Sequence, residues 1–210
     1  MKKLIIIFLA ELIALSGLYA LNVGVHLQTT SKILNQENDL GYEVVLTEAT
    51  TTLQKNLAGD LGVAGKIGIG FGASATLDGE GFFIGGESEI FNFSATACLT
   101  YIPLLGNNIY LYSDAHVTWS SMTWQTGNAS TWDRTAFHSL WAGGSVGILS
   151  RSHKGLQSSR FSIYLSYDVP LLSFRAERQK EKGKMVSETI GRISATGKSL
   201  ALSAGVTIPI

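Results

Sequence analysis

The chain of 210 residues balances 16 lysines and arginines with 16 aspartates and glutamates, so no net field draws it to nucleic acid. Hydrophobic residues make up 45% and charged residues only 15%, with 23 glycines, yet beyond residue 20 no stretch stays apolar for the roughly 18 residues that mark a spanning helix. The single cysteine, Cys98, excludes an internal disulfide framework, and a membrane protein of this composition has only the closed β-barrel open to it.

Lys2 and Lys3 precede an apolar run that starts at Leu4, is interrupted by Glu11 and reaches Tyr19, with the small Ala20 behind it. That order predicts a secretory signal peptide over 1–20 and a single mature domain over 21–210. Removing Lys2, Lys3 and Glu11 leaves 14 basic and 15 acidic residues, a net of −1.

The mature chain is then read as strands, because side chains two apart in a strand point to the same face. A first strand holds Leu21, Val23, Val25 and Leu27. A second runs from Tyr42 to Leu53, rich in β-branched residues but poor in alternation. In the third, Leu61, Val63, Ile67, Ile69 and Phe71 oppose a face of small residues, Gly62, Ala64, Gly68, Gly70 and Gly72, with Lys66 as the exception. That small face is expected to leave room for Tyr110, Tyr112 or Trp141 from other walls.

A fourth strand runs from about Ser88 to Ile102, and a fifth follows from Ile109 to Ser120 after the turn signal Gly106, Asn107, Asn108. The sixth spans about Ala136 to Leu149. The seventh, from Phe161 to Val169, sets Phe161, Ile163, Leu165 and Tyr167 against Ser162, Tyr164, Ser166 and Asp168. The eighth sets Leu200, Leu202, Ala204, Val206, Ile208 and Ile210 against Ser199, Ala201, Ser203, Gly205 and Thr207. Eight strands are the smallest number that closes a bacterial outer-membrane barrel. The fold expected is therefore all-β, an eight-stranded antiparallel transmembrane β-barrel.

Turns around Asn56, Asn107 and Lys154 are compact, whereas the connections around Asn35, Gly81, Asn128 and Lys182 are longer. That asymmetry fits short periplasmic turns and long outer loops. Ser173 to Thr196 reads as the longest outer loop, and Trp124 and Trp132 fall in the third long loop, where they pack on the barrel rim or meet a partner.

A soluble barrel of lipocalin type would share the alternation but carry charge along its outer face. By these boundaries the charges within strands are only Glu43, Glu48, Lys66, Glu89, Asp114, Arg160, Asp168 and Lys198. The aromatics Phe91, Phe93, Trp119 and Tyr167 lie toward one set of strand ends, and Tyr101 and Phe161 toward the other, as interfacial girdles require.

With these strands the chain resembles the small eight-stranded outer-membrane proteins of the OmpA, OmpX and OmpW type. The resemblance is one of pattern over the whole mature chain. It implies residence in the outer membrane, with membrane lipid and the barrel assembly machinery as partners. Members of the family typically finish on an aromatic residue, whereas this chain finishes on Pro209 and Ile210.

Within such a barrel, Lys66, Asp114, His116 and Asp168 form a candidate polar cluster of the lumen, neutralising one another, with Lys66 paired to Asp114 or Asp168. An acid, a histidine and Ser120 or Ser121 are the parts of a triad, but no nucleophile elbow accompanies them, and no enzyme is expected. The glycines from Gly65 to Gly72 lie inside one strand, not between a strand and a helix, so no phosphate loop is read there. His26, His116, His138 and His153 lack metal-ligand spacing, and neither metal nor cofactor is expected. Arg175, Arg178, Lys180, Lys182 and Lys184 make the outer segment before the last strand a candidate anion-binding loop for surface glycans or lipids. The function read from the sequence is a structural or surface-binding barrel that presents its loops. A narrow channel for small hydrophobic solutes is the alternative, and a lipid-acyl-modifying enzyme ranks third.

Overall fold

The computed structural model describes residues 21–36, 41–78, 80–82, 88–128, 130–151, 159–193 and 195–209. Residues 1–20, where a signal peptide is expected, the turn around Lys154 and Ile210 lie outside the described residues. The barrel strands are β1 (Leu21–Gln36), β2 (Gly41–Ala58), β3 (Leu61–Leu77), β5 (Ser88–Tyr101), β7 (Ile109–Gly127), β8 (Trp132–Arg151) and β9 (Arg160–Glu181). Two consecutive segments, β10 (Lys184–Ile193) and β11 (Ala195–Pro209), make up the last wall. The short β4 (Glu80–Phe82) folds back on β3, and β6 (Leu104–Gly106) on β7.

Antiparallel ladders run from β1 through β2, β3, β5, β7, β8, β9 and β11 and return to β1, closing a ring of eight. Closure pairs the backbone all round, the condition for placing strands in hydrocarbon. Among the described residues no helix is long and apolar enough to cross a membrane.

The outward face is apolar where a bilayer would lie. Leu27 on β1, Ile67 on β3, Leu99 on β5, Ile148 on β8, Ile163 on β9 and Leu202 on β11 all stand exposed. Their strand neighbours Thr100, Ser162 and Ser203 are buried within the barrel. A lipocalin would have this reversed, and the inside-out distribution excludes one.

The strands are longer than the sequence suggests: β7, β8 and β9 have 19, 20 and 22 residues, about twice the 9–11 that a tilted strand needs to cross. Their upper halves stand above the belt as a continuing wall. The longest expected loop, Ser173 to Thr196, is therefore corrected: it is mostly strand, with β10 paired to β9 from Lys184↔Glu181 to Ile193↔Ser173. Between β9 and β10 Lys182 and Gly183 turn, both at positive φ (47° and 80°), as a tight hairpin requires. Asn107 and Asn108 make the same kind of turn at the other end of the barrel, with φ of 42° and 71°.

A bulge opens in β9, where Leu140 pairs with Leu172 but Trp141 pairs with Pro170. Pro170, which lacks an N–H, sits beside it at little cost. The extra residue reverses the phase of the strand. Ser162, Ser166 and Asp168 face the interior below it, and Ser173 and Arg175 above it.

Candidate functional site

The interior has three layers. Toward the tall end lies an apolar layer of Leu34, Tyr42, Val44, Leu46, Ile90, Met122, Trp124, Phe137 and Trp141. Tyr42, Trp124 and Phe137 meet ring to ring, with centroids 4.8–5.5 Å apart. Toward the other end Ile102, Tyr112, Leu149 and Tyr164 form a smaller layer. Polar groups fill the space between.

Trp124 is thus 1% exposed inside the barrel, on β7, and is not part of a rim-packing loop. Trp132 opens β8, with the Arg134 guanidinium 4.6 Å from its ring.

The first polar group gathers Lys66 from β3, Asp114 and His116 from β7, and Asp168 from β9. Lys66 Nζ donates to Asp114 Oδ2 at 3.1 Å, while Tyr112 OH donates to the same oxygen at 2.5 Å. His116 places Nδ1 2.5 Å from Asp114 Oδ1 and Nε2 2.5 Å from Asp168 Oδ1. A carboxylate on each ring nitrogen makes the histidine a bridge between two acids. The Lys66 ammonium also lies 4.8 Å from the centre of the Tyr164 ring, so its far side is covered by an aromatic face.

The second group escaped sequence reading. Glu48 on β2 is 1% exposed, and it accepts from Gln28 Nε2 at 2.6 Å, Thr30 Oγ1 at 2.7 Å and Asn92 Nδ2 at 2.5 Å. Ser120 donates to Asn92 Oδ1 at 2.8 Å and accepts from Lys32 Nζ at 3.1 Å. Lys32 and Glu48 are therefore joined through two neutral side chains. Lys32 was missed because the first strand was read only as far as Leu27. Its inward parity with Gln28 and Thr30 was the signal available.

Both groups border one cavity of about 50 Å³, lined among others by Lys32, Glu48, Lys66, His116, Trp141 and Asp168. At roughly 10–15 Å³ for each water, such a space takes a few solvent molecules and no organic solute.

Glycines make this interior possible, but not as expected. The small face of β3 leaves room for Glu48 beside Gly70, Ser94 beside Gly68 and Ile90 beside Gly72, not for Tyr110, Tyr112 or Trp141. Elsewhere Gly143 lies against Asp168, Gly147 against Tyr164 and Gly205 against His26. Each of these last three is a cross-strand partner of the large residue it accommodates.

No triad forms around His116, since both its nitrogens are engaged by carboxylates. Ser120 faces inward to Lys32 and Asn92, whereas Ser121 faces outward and contacts His138 Nδ1 at 3.0 Å. Ligand atoms of Cys98, Asp114 and His116 come within 4.8 Å of one another. Asp114, however, already accepts from Lys66, Tyr112 and His116, which leaves it little to offer a cation.

The five cations of the candidate anion-binding segment do not share one face. Arg175 points inward over the Phe137 ring and grips Asp78 with Nη1–Oδ1 at 2.8 Å and Nη2–Oδ2 at 2.6 Å, with Glu177 also on its Nε at 2.8 Å. Hydrogen bonding to Asp78 pushes the Arg175 guanidinium above its ordinary value. Arg178 bonds Glu188 across the hairpin at 2.7 Å, and Lys182 sits in the turn. Lys184 pairs with Glu181 in the ladder, opposite in phase to Arg178 and Lys180. Because the Arg175 and Asp78 side chains are only 17% and 27% exposed, Arg175→Gln is expected to cost about 1 kcal/mol in urea unfolding of the folded barrel. No measurable shift in the midpoint would mean that the bridge across the mouth contributes nothing.

No family model matches the chain, and no curated protein matches its sequence. Solved structures do. Neisserial surface protein A is 12% identical, with a TM-score of 0.50 over 90% of this chain and 98% of that one. A major outer membrane protein from Thermus thermophilus is 14% identical, with a TM-score of 0.55 over 90% and 99%. At such identities the likeness is one of fold. By its closed ring, its apolar outer belt and that likeness, the chain has the fold of the small eight-stranded outer-membrane β-barrels.

Proposed function

We propose that the barrel is a sealed anchor that acts through the wall it raises above the membrane, and that its lumen conducts nothing. The observation that carries this reading is the apolar layer across the tall end, where Leu34, Val44, Leu46 and Met122 are 0% exposed and Trp124, Phe137 and Trp141 are 1% exposed. An ion entering from that side would have to shed its water against hydrocarbon and aromatic faces. Below it the lumen charges are held by one another. The alternative, a narrow channel for small hydrophobic solutes, would need a continuous apolar path, and the polar layer interrupts it.

Outer-membrane lipid and the barrel assembly machinery remain its proposed partners, and the rim formed by β7, β8, β9 and β10 is the surface offered to others. Purified full-length barrel in planar bilayers is expected to give no unitary current steps in molar potassium chloride. Reproducible steps that scale with salt would overturn the sealed reading.

A further inference from the structure

We propose that the short-turn end of the barrel holds a phosphate dianion between Arg151 and Arg160. The two residues are direct cross-strand partners on β8 and β9, so their side chains leave the same face of the sheet. That face is the interior. Arg160 shares the phase of Ser162, which is 3% exposed and meets His26 in the lumen, and its partner on β11 is the buried Thr207. Arg151 shares the phase of the buried Leu149.

Like charges on opposite rungs are destabilising, and no acid of the surrounding wall offsets them. Among the described residues neither arginine has an ion pair, whereas Lys66, Arg175 and Arg178 each hold a carboxylate. The sequence explains the difference, since from Arg134 to Tyr167 it contains no aspartate or glutamate. Asp60 lies in the β2–β3 turn, across the ring from β8 and β9.

The surroundings are fixed on both strands. Arg160 lies with its guanidinium 5.5 Å from the centre of the Tyr110 ring, and Tyr110 packs on the layer of Ile102, Tyr112, Leu149 and Tyr164. The Arg151 backbone N–H donates to the Asn108 oxygen at 3.0 Å, which ties the end of β8 to the turn before β7. The pair therefore faces a mouth open to water below and closed by aromatic rings above. An anion can enter there without passing through.

Charge and shape select the ligand. Each guanidinium can present two parallel N–H donors to oxygens of one tetrahedral group. A phosphate, free or as a monoester, carries a charge of about −1.5 to −2 near neutral pH and so matches two cations. A carboxylate or the phosphodiester of a lipid carries only one negative charge, and the inward aim of the pair turns it away from the bilayer. The site uses neither the outer wall nor the sealed lumen, so conductance and phosphate binding test separate claims.

Inorganic phosphate is the probe. Full-length barrel in octyl glucoside, free of phosphate and at low salt, is titrated with it and followed by the phosphorus NMR line width. Saturable broadening is expected, weakened about tenfold in Arg151→Gln and in Arg160→Gln and unchanged in Arg178→Gln. Glycerol phosphate, a monoester, should compete at equal concentration, and acetate should not. Each variant is first checked for the gel shift of a closed barrel, and Arg151→Gln, at an exposed position, decides the matter if Arg160→Gln does not fold. Broadening that never saturates, or that survives Arg151→Gln, overturns the proposal. Equal competition by acetate does so too, by reducing the site to a general pair of cations. Displacement by short-chain phosphatidylglycerol has the same force, because it assigns the pair to a lipid headgroup.

Discussion

Asp114→Leu is expected to destabilise the barrel by about 3–5 kcal/mol, read as a lower urea midpoint for unfolding from vesicles. The Asp114 side chain is 0% exposed and accepts from Lys66, Tyr112 and His116 at once. Leucine, with the same branching at Cγ but a larger side chain, fills the space but strands an ammonium, a phenol and a ring N–H among apolar walls. The loss is that of uncompensated donors, not the worth of the contact. Asp114→Asn keeps an acceptor for some of them and should lose less. Replacing the group together, Lys66→Met with Asp114→Leu and His116→Leu, should recover much of the midpoint, since an ion network exchanged whole for hydrocarbon is often neutral. Asp168 would then keep no partner among these residues, so recovery is expected to be incomplete. If Asp114→Leu unfolds at the same urea concentration as the parent, the network has no structural role.

The belt half of the barrel strands other than β2 was legible because lipid outside and packed polar groups inside impose one rule of alternation. Leu200 and Leu202 outward against Ser199 and Ser203 inward follow it without exception. Above the belt the rule inverts. On β7, Met122 and Trp124 face inward while Thr123 and Gln125 face outward, and on β8 Phe137 faces inward and Arg134 outward. A strand whose two halves obey opposite rules looks like a strand followed by a loop. Ser120, Ala136 and Val169, where the sequence reading stopped, are close to where the inversion falls. The inversion also explains β2, the strand with the poorest apparent alternation. Tyr42, Val44 and Leu46 face the interior above, and Glu48, Thr50 and Thr52 face it below. Its burial alternates cleanly although its hydrophobicity does not.

The candidate lumen cluster was legible for the same reason: Lys66, Asp114, His116 and Asp168 interrupt belt strands at inward positions. Lys32 and Asn92 were not. Lys32 lay beyond an underestimated strand, and the neutral Asn92 starts an Asn-Xaa-Ser triplet with nothing in it to suggest a place in the lumen network. What made Glu48 its acceptor partner was the barrel's curvature, which brings β2 and β5 together across the glycine face of β3.

Gly143→Leu is expected to prevent assembly, leaving the chain without the gel shift between boiled and unboiled samples that marks a closed barrel. Gly143 is the cross-strand partner of Asp168, and a β-carbon there would overlap both the Asp168 carboxylate and the backbone oxygen of Tyr167. The second overlap is with main chain and cannot be relieved by rotating a side chain. Even Gly143→Ala is expected to cost about 1–3 kcal/mol through overpacking. The clash also displaces Asp168 from His116, so the polar layer loses one acid of its bridge. Asp168→Ala in the Gly143→Ala background should therefore give only partial relief, because the Tyr167 oxygen remains. Gly191, on β10, provides the control: nothing lies within 4 Å of a β-carbon placed there. Gly191→Ala is expected to change stability by no more than about 0.5 kcal/mol. If Gly143→Leu folds with a normal gel shift, the β8–β9 register is wrong, since no side chain fits at that point of the ladder.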